Sequence, residues 1–430
     1  MSKYLFKYNI SDTQKFIFQS PEKGVLHELK KRSDYVQNIT VHCLKKLQEF
    51  FNPQNVIELY SDYENFVIEV ITDKNDHEIT GFIKTFQNNY LKQPLFPHIA
   101  FVEKKTEKFN ITLSTLNKKL QKAKLQRLVC FEPFEIVPIP LQDIVLNIKT
   151  DINGEFFCSD FDQIAQNSEG DKKMAALKVD VDNLVALFHN VTEEEYRKIS
   201  KTLKDFFDGK LCQLIQDLKM QQQIFCVYSG CDRCFFFGNW SKIFELAIRL
   251  RQKFEDSQRN LKIQIPSLPD KELSFSAGIV ITSSDFPLFQ WAEEVEKALY
   301  ASKCVASKNS VTVFGKTLLW REFIQSQKIA NQLVDLIRNK GESKSLINRI
   351  KSSDVGFDDL QQNAHEGKIN IPKVWRLKYY LRNVKKENEE AIKTLFEEYT
   401  KALIDTFMKR KTTNPNLYPV AARWAELLLR

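Results

Sequence analysis

The sequence predicts an α+β chain with two βαββαβ units and a helical C-terminal region. Three observations carry this. Short β-rich runs alternate with stretches of helical apolar spacing over most of the chain, a tight hairpin recurs in each unit, and beyond about residue 317 only helical spacing remains. At roughly 150 residues per domain, 430 residues make about three globular units.

In residues 1–102, LFKYNIS reads as a strand and EKGVLHELKKRSDYVQNITVHCLKKLQEFF as a long helix. NVIELYSDYENFVIEVIT follows as two β-rich runs around Ser61-Asp62-Tyr63-Glu64-Asn65, and then more helix. Residues 103–170 open on a basic helical segment (Lys104, Lys105, Lys108, Lys118, Lys119, Lys122, Lys124, Arg127), close on the polar loops KTDINGE and QNSEGDKK, and leave their fold open. Residues 171–316 repeat the first unit more clearly. MAALKVDVDNL is a buried strand ending in acids, VTEEEYRKISKTLKDFFDGKLCQLIQDL a helix and QQQIFCVYSGCDRCFFFGNW a hairpin. SKIFELAIRLRQKFED is a helix, LSFSAGIVIT a strand, FPLFQWAEEVEKALYASK a helix and SVTVFG a last strand. The first five of these form the split-βαβ, or ferredoxin-like, order βαββαβ, whose antiparallel sheet carries helices on one face. Residues 317–430 read as a small helical bundle.

Composition narrows the function. With 43% hydrophobic and 27% charged residues the chain is a folded protein. Lys plus Arg number 63 against 55 Asp plus Glu, a net charge of +8, which favours polyanionic partners without establishing nucleic-acid binding. Glycine is scarce at 12 residues, and neither GxGxxG nor GxxxxGK[ST] occurs. The opening MSKYLFKYNISDTQKF has no signal-peptide core, and no apolar run reaches the ~18 residues of a membrane span. Eight cysteines are too dilute for a disulfide scaffold. These features predict a reduced, cytoplasmic protein with no membrane partner. Cys231 and Cys234 form a lone CxxC that reads as a turn residue and a strand residue rather than half a zinc site, with Cys226 and Cys234 buried.

Chemistry concentrates in the second unit. Asp180 and Asp182 stand two apart at a strand end, so alternation aims both at one face. In a βαββ unit the turn Ser229-Gly230-Cys231-Asp232-Arg233 lies beside that end. Carboxylates so placed can hold two Mg²⁺ ions around a triphosphate and activate an attacking hydroxyl.

KVDVDNL, YSGCDRCFFFG, FSAGI, AEEVEKALYASK and SVTVFGKTLLW together resemble the catalytic palm of the large subunit of type III CRISPR effector complexes, a relative of the GGDEF nucleotide cyclases. YNISDTQKFIF with LHELKKRSDYVQNI resembles that family's first palm, and YYLRN at 379–383 its helical C-terminal domain. Only the middle of the chain is unmatched. The resemblance implies an RNA-guided antiviral ribonucleoprotein, with guide RNA, target RNA, a subunit capping the 5′ end of the guide and small helical subunits as partners. It also implies a nucleotide site at Ser229, Gly230, Cys231, Lys303 and Lys308. ATP with Mg²⁺ is the candidate ligand, with no cofactor required, and Asp180 and Asp232 are the candidate metal ligands.

Departures from the family pattern shape the expected function. Its Gly-Gly-Asp-Asp is here Gly230-Cys231-Asp232-Arg233, so a cation replaces the second acid. One unit charge on another at 4 Å is worth about 4 kcal/mol at an effective dielectric of 20, and about twice that against a 2+ ion. Asp180, Asp182 and Asp232 are therefore expected to form a vestigial site, with a turn altered by Cys231. The chain opens directly on the first-palm string and contains no His-Asp dipeptide, which predicts that the HD nuclease of many family members is lacking. The expectation is a scaffold subunit with an inactive cyclic-oligoadenylate palm. Its rivals are an active Mg-dependent nucleotidyltransferase and a stand-alone GGDEF-like nucleotide sensor. A second basic cluster, Lys373, Arg376, Lys378, Arg382, Lys385 and Lys386, is interleaved with Trp375, Tyr379 and Tyr380. Those aromatics read as bundle core ahead of base-stacking surfaces.

Overall fold

The computed structural model describes residues 1–19, 26–91, 93–105, 108–128, 161–189, 191–266, 273–353, 375–408 and 413–430. Residues 129–160, nearly half of the connecting region, and Lys373 lie outside them. The architecture is mixed α+β with two sheets.

The first unit runs β1 (Ser2–Ser11), α1 (Thr13–Phe18), α2 (Leu26–Phe51), β2 (Val56–Ser61), β3 (Asn65–Thr72), α3 (Asp76–Asn88), β4 (Phe96–Glu103) and α4 (Phe109–Leu128). Its sheet has the order β2-β3-β1-β4, with β1 antiparallel to both β3 and β4. The sequence places no particular strand after the hairpin; β4, paired with β1, supplies the last strand of the βαββαβ order. FPHIAFVE offers little alternation because its first five residues are all buried.

After α5 (Phe161–Gln166), the second unit runs β5 (Met174–Val181), α6 (Leu184–His189), α7 (Glu193–Lys204) and α8 (Leu211–Asp217). It continues with β6 (Ile224–Ser229), β7 (Arg233–Asn239), α9 (Trp240–Gln264), β8 (Phe275–Thr282), α10 (Leu288–Cys304), β9 (Ser310–Val313) and β10 (Lys316–Leu319). Here the order is β10-β9-β8-β5-β7-β6, with β8 and β9 parallel and the other pairs antiparallel. Strand β10 lies in the stretch read as helical from 317 on. At four residues it is too short to show a period. Helix α7 starts where Thr192 and Glu195 form a reciprocal capping box, and three glutamates in its first turn complement the helix dipole.

The C-terminal region contributes α11 (Trp320–Arg338), α12 (Ser345–Ser353), α13 (Trp375–Tyr380), α14 (Glu389–Phe407) and α15 (Leu417–Leu428). Helix α15 closes back on the second unit. Asp171 donates its backbone N–H to Leu427 (2.8 Å), and Arg430 pairs with Asp171 at 3.1 Å.

The two units share one interior. Along β7 the side chains alternate. Phe235 and Phe237 pack into a cluster with Phe18, Tyr8 and Phe6 of the first unit, while Cys234 and Phe236 face the cluster of α9 and α15. Helix α2 lies between the units, where Ser33 Oγ donates to the Val227 carbonyl (2.5 Å) and the Tyr63 hydroxyl donates to the Ser33 carbonyl (2.6 Å).

The hairpins match position by position. Each has a register shift two residues before its turn, between Glu58 and Tyr60 and between Cys226 and Tyr228. Each turn closes with one backbone bond, Asp62 N–H to the Asn65 carbonyl (2.8 Å) and Gly230 N–H to the Arg233 carbonyl (2.9 Å). Tyr60-Ser61-Asp62-Tyr63-Glu64-Asn65 is thus the counterpart of Tyr228-Ser229-Gly230-Cys231-Asp232-Arg233.

Candidate functional site

The hairpin tips meet. Tyr63 and Tyr228 stack at 5.3 Å, and the Cys231 thiol donates to the Ser61 carbonyl at 2.8 Å. A Cβ on Gly230 would lie 3.3 Å from the Tyr63 Cβ, so a larger residue there would push the tips apart. Cys231 is 1% exposed and does not take a left-handed backbone, so its turn keeps ordinary geometry without glycine. The Cys231 thiol is pushed well above its usual range by burial and by Asp62. Cys226 and Cys234 are buried strand residues, as expected.

Arg233 joins the two units. Its Nε donates to Asp232 Oδ1 (3.1 Å) and its Nη1 to Glu64 Oε1 (2.8 Å), while Thr13 donates to the other Glu64 oxygen (2.6 Å). The charge of Asp232 raises the guanidinium's proton affinity further, against burial. Beside it, Asp62 accepts from the Tyr60 hydroxyl (2.5 Å) and from the backbone of Glu64 (2.8 Å) and Asn65 (2.6 Å). Burial, then the charge of Asp232, raise the Asp62 carboxyl above the ordinary range, with Arg233 opposing.

Asp180 and Asp182 part company. Lys303 Nζ on α10 reaches Asp180 Oδ1 at 2.5 Å, and burial raises the Asp180 carboxyl while Lys303 opposes. Asp182 is 0% exposed and accepts from Ser274 Oγ (2.7 Å), Ser276 Oγ (2.9 Å) and the Asn309 backbone N–H (3.0 Å). Strand β5 ends at Val181, so alternation no longer governs Asp182, which instead anchors the left-handed corner Lys308-Asn309.

A cavity of about 620 Å³ lies between the units, within the roughly 300–1,000 Å³ of small-molecule sites. Asp180, Asp232, Arg233, Lys303 and Lys308 line it. Asp182, Ser229, Gly230 and Cys231 do not line it. Ser229 Oγ turns away to the Phe207 carbonyl (2.9 Å), and the tip of the turn is taken up by the facing hairpin. Sequence reasoning missed Lys7, Asn65, Asn117 and Asn183 on its walls, and the rings of Tyr60, Phe188 and Tyr196. The counterpart hairpin in the first unit was the one available signal. A larger groove of about 800 Å³ between α9, α11 and α15 holds charges of both signs and none of these residues.

The donor set does not fit a pair of divalent ions. Asp180 is bonded to an ammonium and Asp232 to a guanidinium, and no cluster of three or more His, Cys, Asp or Glu suited to a metal ion occurs among the described residues.

The basic stretches are partly spent on the fold. Lys104 bridges Glu69 (2.7 Å) and Glu193 (2.6 Å), whereas Lys118, Lys119 and Lys122 are exposed. The side chains of Arg127, Trp375 and Arg376 lie outside the described residues. Tyr380 is core, as expected; Tyr379 is 54% exposed and carries the Arg382 guanidinium 5.1 Å above its ring. No described helix is long and apolar enough to cross a membrane.

Residues 173–312 match the family model described as "Cas10/Cmr2, second palm domain", and residues 2–134 that described as "Csm1 subunit domain B". Curated relatives include the "CRISPR system single-strand-specific deoxyribonuclease Cas10/Csm1 (subtype III-A)" of Methanocaldococcus jannaschii, 25% identical over 237 residues, which are 47% of this chain and 28% of that protein. The protein of that name from Enterococcus italicus is 27% identical over 223 residues, 49% of this chain and 26% of its own length. The matches thus span little more than a quarter of those relatives. Among solved structures, a Csm1–Csm4 cassette in complex with pppApApA superposes with a TM-score of 0.73 at 16% identity, covering 100% of this chain and 70% of that one. Csm1 of T. onnurineus gives a TM-score of 0.72 at 17% identity with the same coverage.

Proposed function

Because the chain belongs to the Cas10/Csm1 family, we propose that it is the large scaffold subunit of a type III-A CRISPR RNA-guided effector, with a palm that does not carry out nucleotidyl transfer. In this reading residues 1–102 and 171–316 are two ferredoxin-like palms, 103–170 connects them and 317–430 is a helical bundle. Similar structures hold Csm1 together with Csm4. In this reading the first palm docks a subunit capping the guide 5′ end, and the bundle docks small helical subunits along the guide–target duplex. Contact with guide and target RNA is through phosphates and shape, in keeping with a net charge of +8. The reading places the protein in the cytoplasm.

The observation that carries catalytic silence is the Arg233 bridge. Where the resemblance puts a second acid, a guanidinium binds Asp232 and Glu64 at once. Lys303 holds Asp180, so neither carboxylate is free to take a metal or a proton from an attacking hydroxyl. The cavity remains, and other structures similar to this chain are complexes of the Csm1–Csm4 cassette with AMPPNP and with one ATP. Nucleotide binding is therefore retained in this reading while transfer is lost.

The test is to purify the tagged protein from its native host and incubate the resulting complex with ATP, Mg²⁺ or Mn²⁺, and matching target RNA. Guide RNA and neighbouring subunits should co-purify, and no cyclic oligoadenylate should form. A product that Asp232→Ala abolishes would establish the nucleotidyltransferase instead. Recovery of a monomer that binds nucleotide without RNA would favour the stand-alone sensor.

A further inference from the structure

The cavity's acids and bases do not balance. Both acids on its wall are bonded to cations of this chain, Asp180 to Lys303 and Asp232 to Arg233. Two further cations are not so engaged. Lys7 Nζ on β1 donates to the neutral amide of Asn117 (2.7 Å), and Lys308 Nζ donates to that of Asn183 (2.6 Å). They come from different units and line the same space. Burial lowers the proton affinity of Lys7, with the charges of Asp62 and Asp232 opposing, although no carboxylate is bonded to its ammonium as one is to Lys303 and to Arg233. The apolar wall has Phe188 and Tyr196 with rings 4.2 Å apart, Tyr60 beside them, and Leu113 and Leu184.

A ligand for this space needs several negative charges at one end and a flat, weakly polar body at the other. We infer that the cavity binds a nucleoside triphosphate as the metal-free anion, with Arg233 and Lys303 standing where divalent ions would sit and Lys7 and Lys308 taking the phosphate chain. The inference rests on the palm assignment above and adds the ionic form of the ligand. A Mg²⁺ complex has lost two of its negative charges before it arrives, and its cation would face the guanidinium. The cationic wall therefore favours the free tetra-anion.

Titration calorimetry of the full chain with ATP, in EDTA and then in excess Mg²⁺, tests this. Binding should be about tenfold tighter in EDTA, the size expected for a change of charge at this range after screening. Lys7→Ala and Lys308→Ala should each weaken the EDTA affinity about tenfold while leaving the thermal midpoint near that of the parent. Tripolyphosphate should compete, but more weakly than ATP; equal competition would overturn the nucleoside half of the inference. Affinity that rises with Mg²⁺, absence of ATP binding by the folded chain, or unchanged affinity in both lysine variants would each overturn it. None of these outcomes bears on whether guide RNA and partner subunits co-purify or whether cyclic product forms, so the scaffold reading stands or falls separately.

Discussion

At the scale of single residues, the fate of two charged groups separates structure from chemistry. Asp182 looks like a site residue in sequence and is a structural anchor in space, fully buried with three donors on its carboxylate. Asp182→Ala leaves those donors and the Asn309 corner without an acceptor and should cost about 3 kcal/mol in urea unfolding. Asp180→Asn, which loses a partly exposed pair with Lys303, should cost about 1 kcal/mol or less in the same measurement. The Arg233–Glu64 pair is more buried, with side chains 31% and 11% exposed. A double-mutant cycle with Arg233→Ala and Glu64→Ala should return a coupling of about 1–2 kcal/mol. The sequence made Arg233 conspicuous by its sign, but not its direction. That is set by Glu64, far away in the chain, and a bond between turns of two units leaves no periodic trace.

At the scale of elements, glycine decides how closely α10 lies on the second sheet. A Cβ on Gly278 of β8 would stand 2.5 Å from the Leu299 nitrogen and 2.6 Å from the Val295 carbonyl oxygen. Both are backbone atoms of α10, which cannot yield by a rotamer change. Gly278→Ala should therefore lower stability by about 2–4 kcal/mol and draw Lys303 away from Asp180, visible as weaker ATP binding beside a lower melting midpoint. The element order of the second unit was legible because MAALKVDV, IFCVYS and FSAGIVIT are apolar runs bounded by polar turns. The first unit was less so. Its β4 carries Pro97 and His98 among apolar residues, and a buried strand without alternation cannot be told from other buried segments. The equivalence of Tyr60–Asn65 with Tyr228–Arg233 was present in the sequence. It amounts to a shared Tyr-Ser pair, which gains meaning only once both turns close with the same backbone bond.

At the scale of the whole molecule, Glu426 ties the last helix to α12 within the C-terminal region. Lys351 (2.7 Å), Arg423 (2.5 Å) and Arg430 (3.2 Å) surround this carboxylate. Burial would raise it, but hydrogen bonds from Lys351 and Arg423 prevail and hold it at about 2 against the usual 4.5. A carboxylate depressed in the folded state stabilises fully above its unfolded value and loses that contribution as pH falls from about 5 to about 2. Discounted for partial exposure, the contribution is about 1–2 kcal/mol. Glu426→Gln should therefore melt below the parent at pH 7, and the two curves should converge near pH 2. The proposed scaffold role belongs to this scale too, since it depends on units that share one interior and stay docked.

The clasp between hairpins also limits which residues position 233 can accept. An acid at 233 would stand beside Asp62, Glu64 and Asp232 and remove the guanidinium that bonds two of them, leaving Lys7 and Lys124 as the nearby cations, so that single change should destabilise the clasp. In a library randomised at 64 and 233 and selected for folding, aspartate at 233 should survive only where glutamate 64 has also been lost.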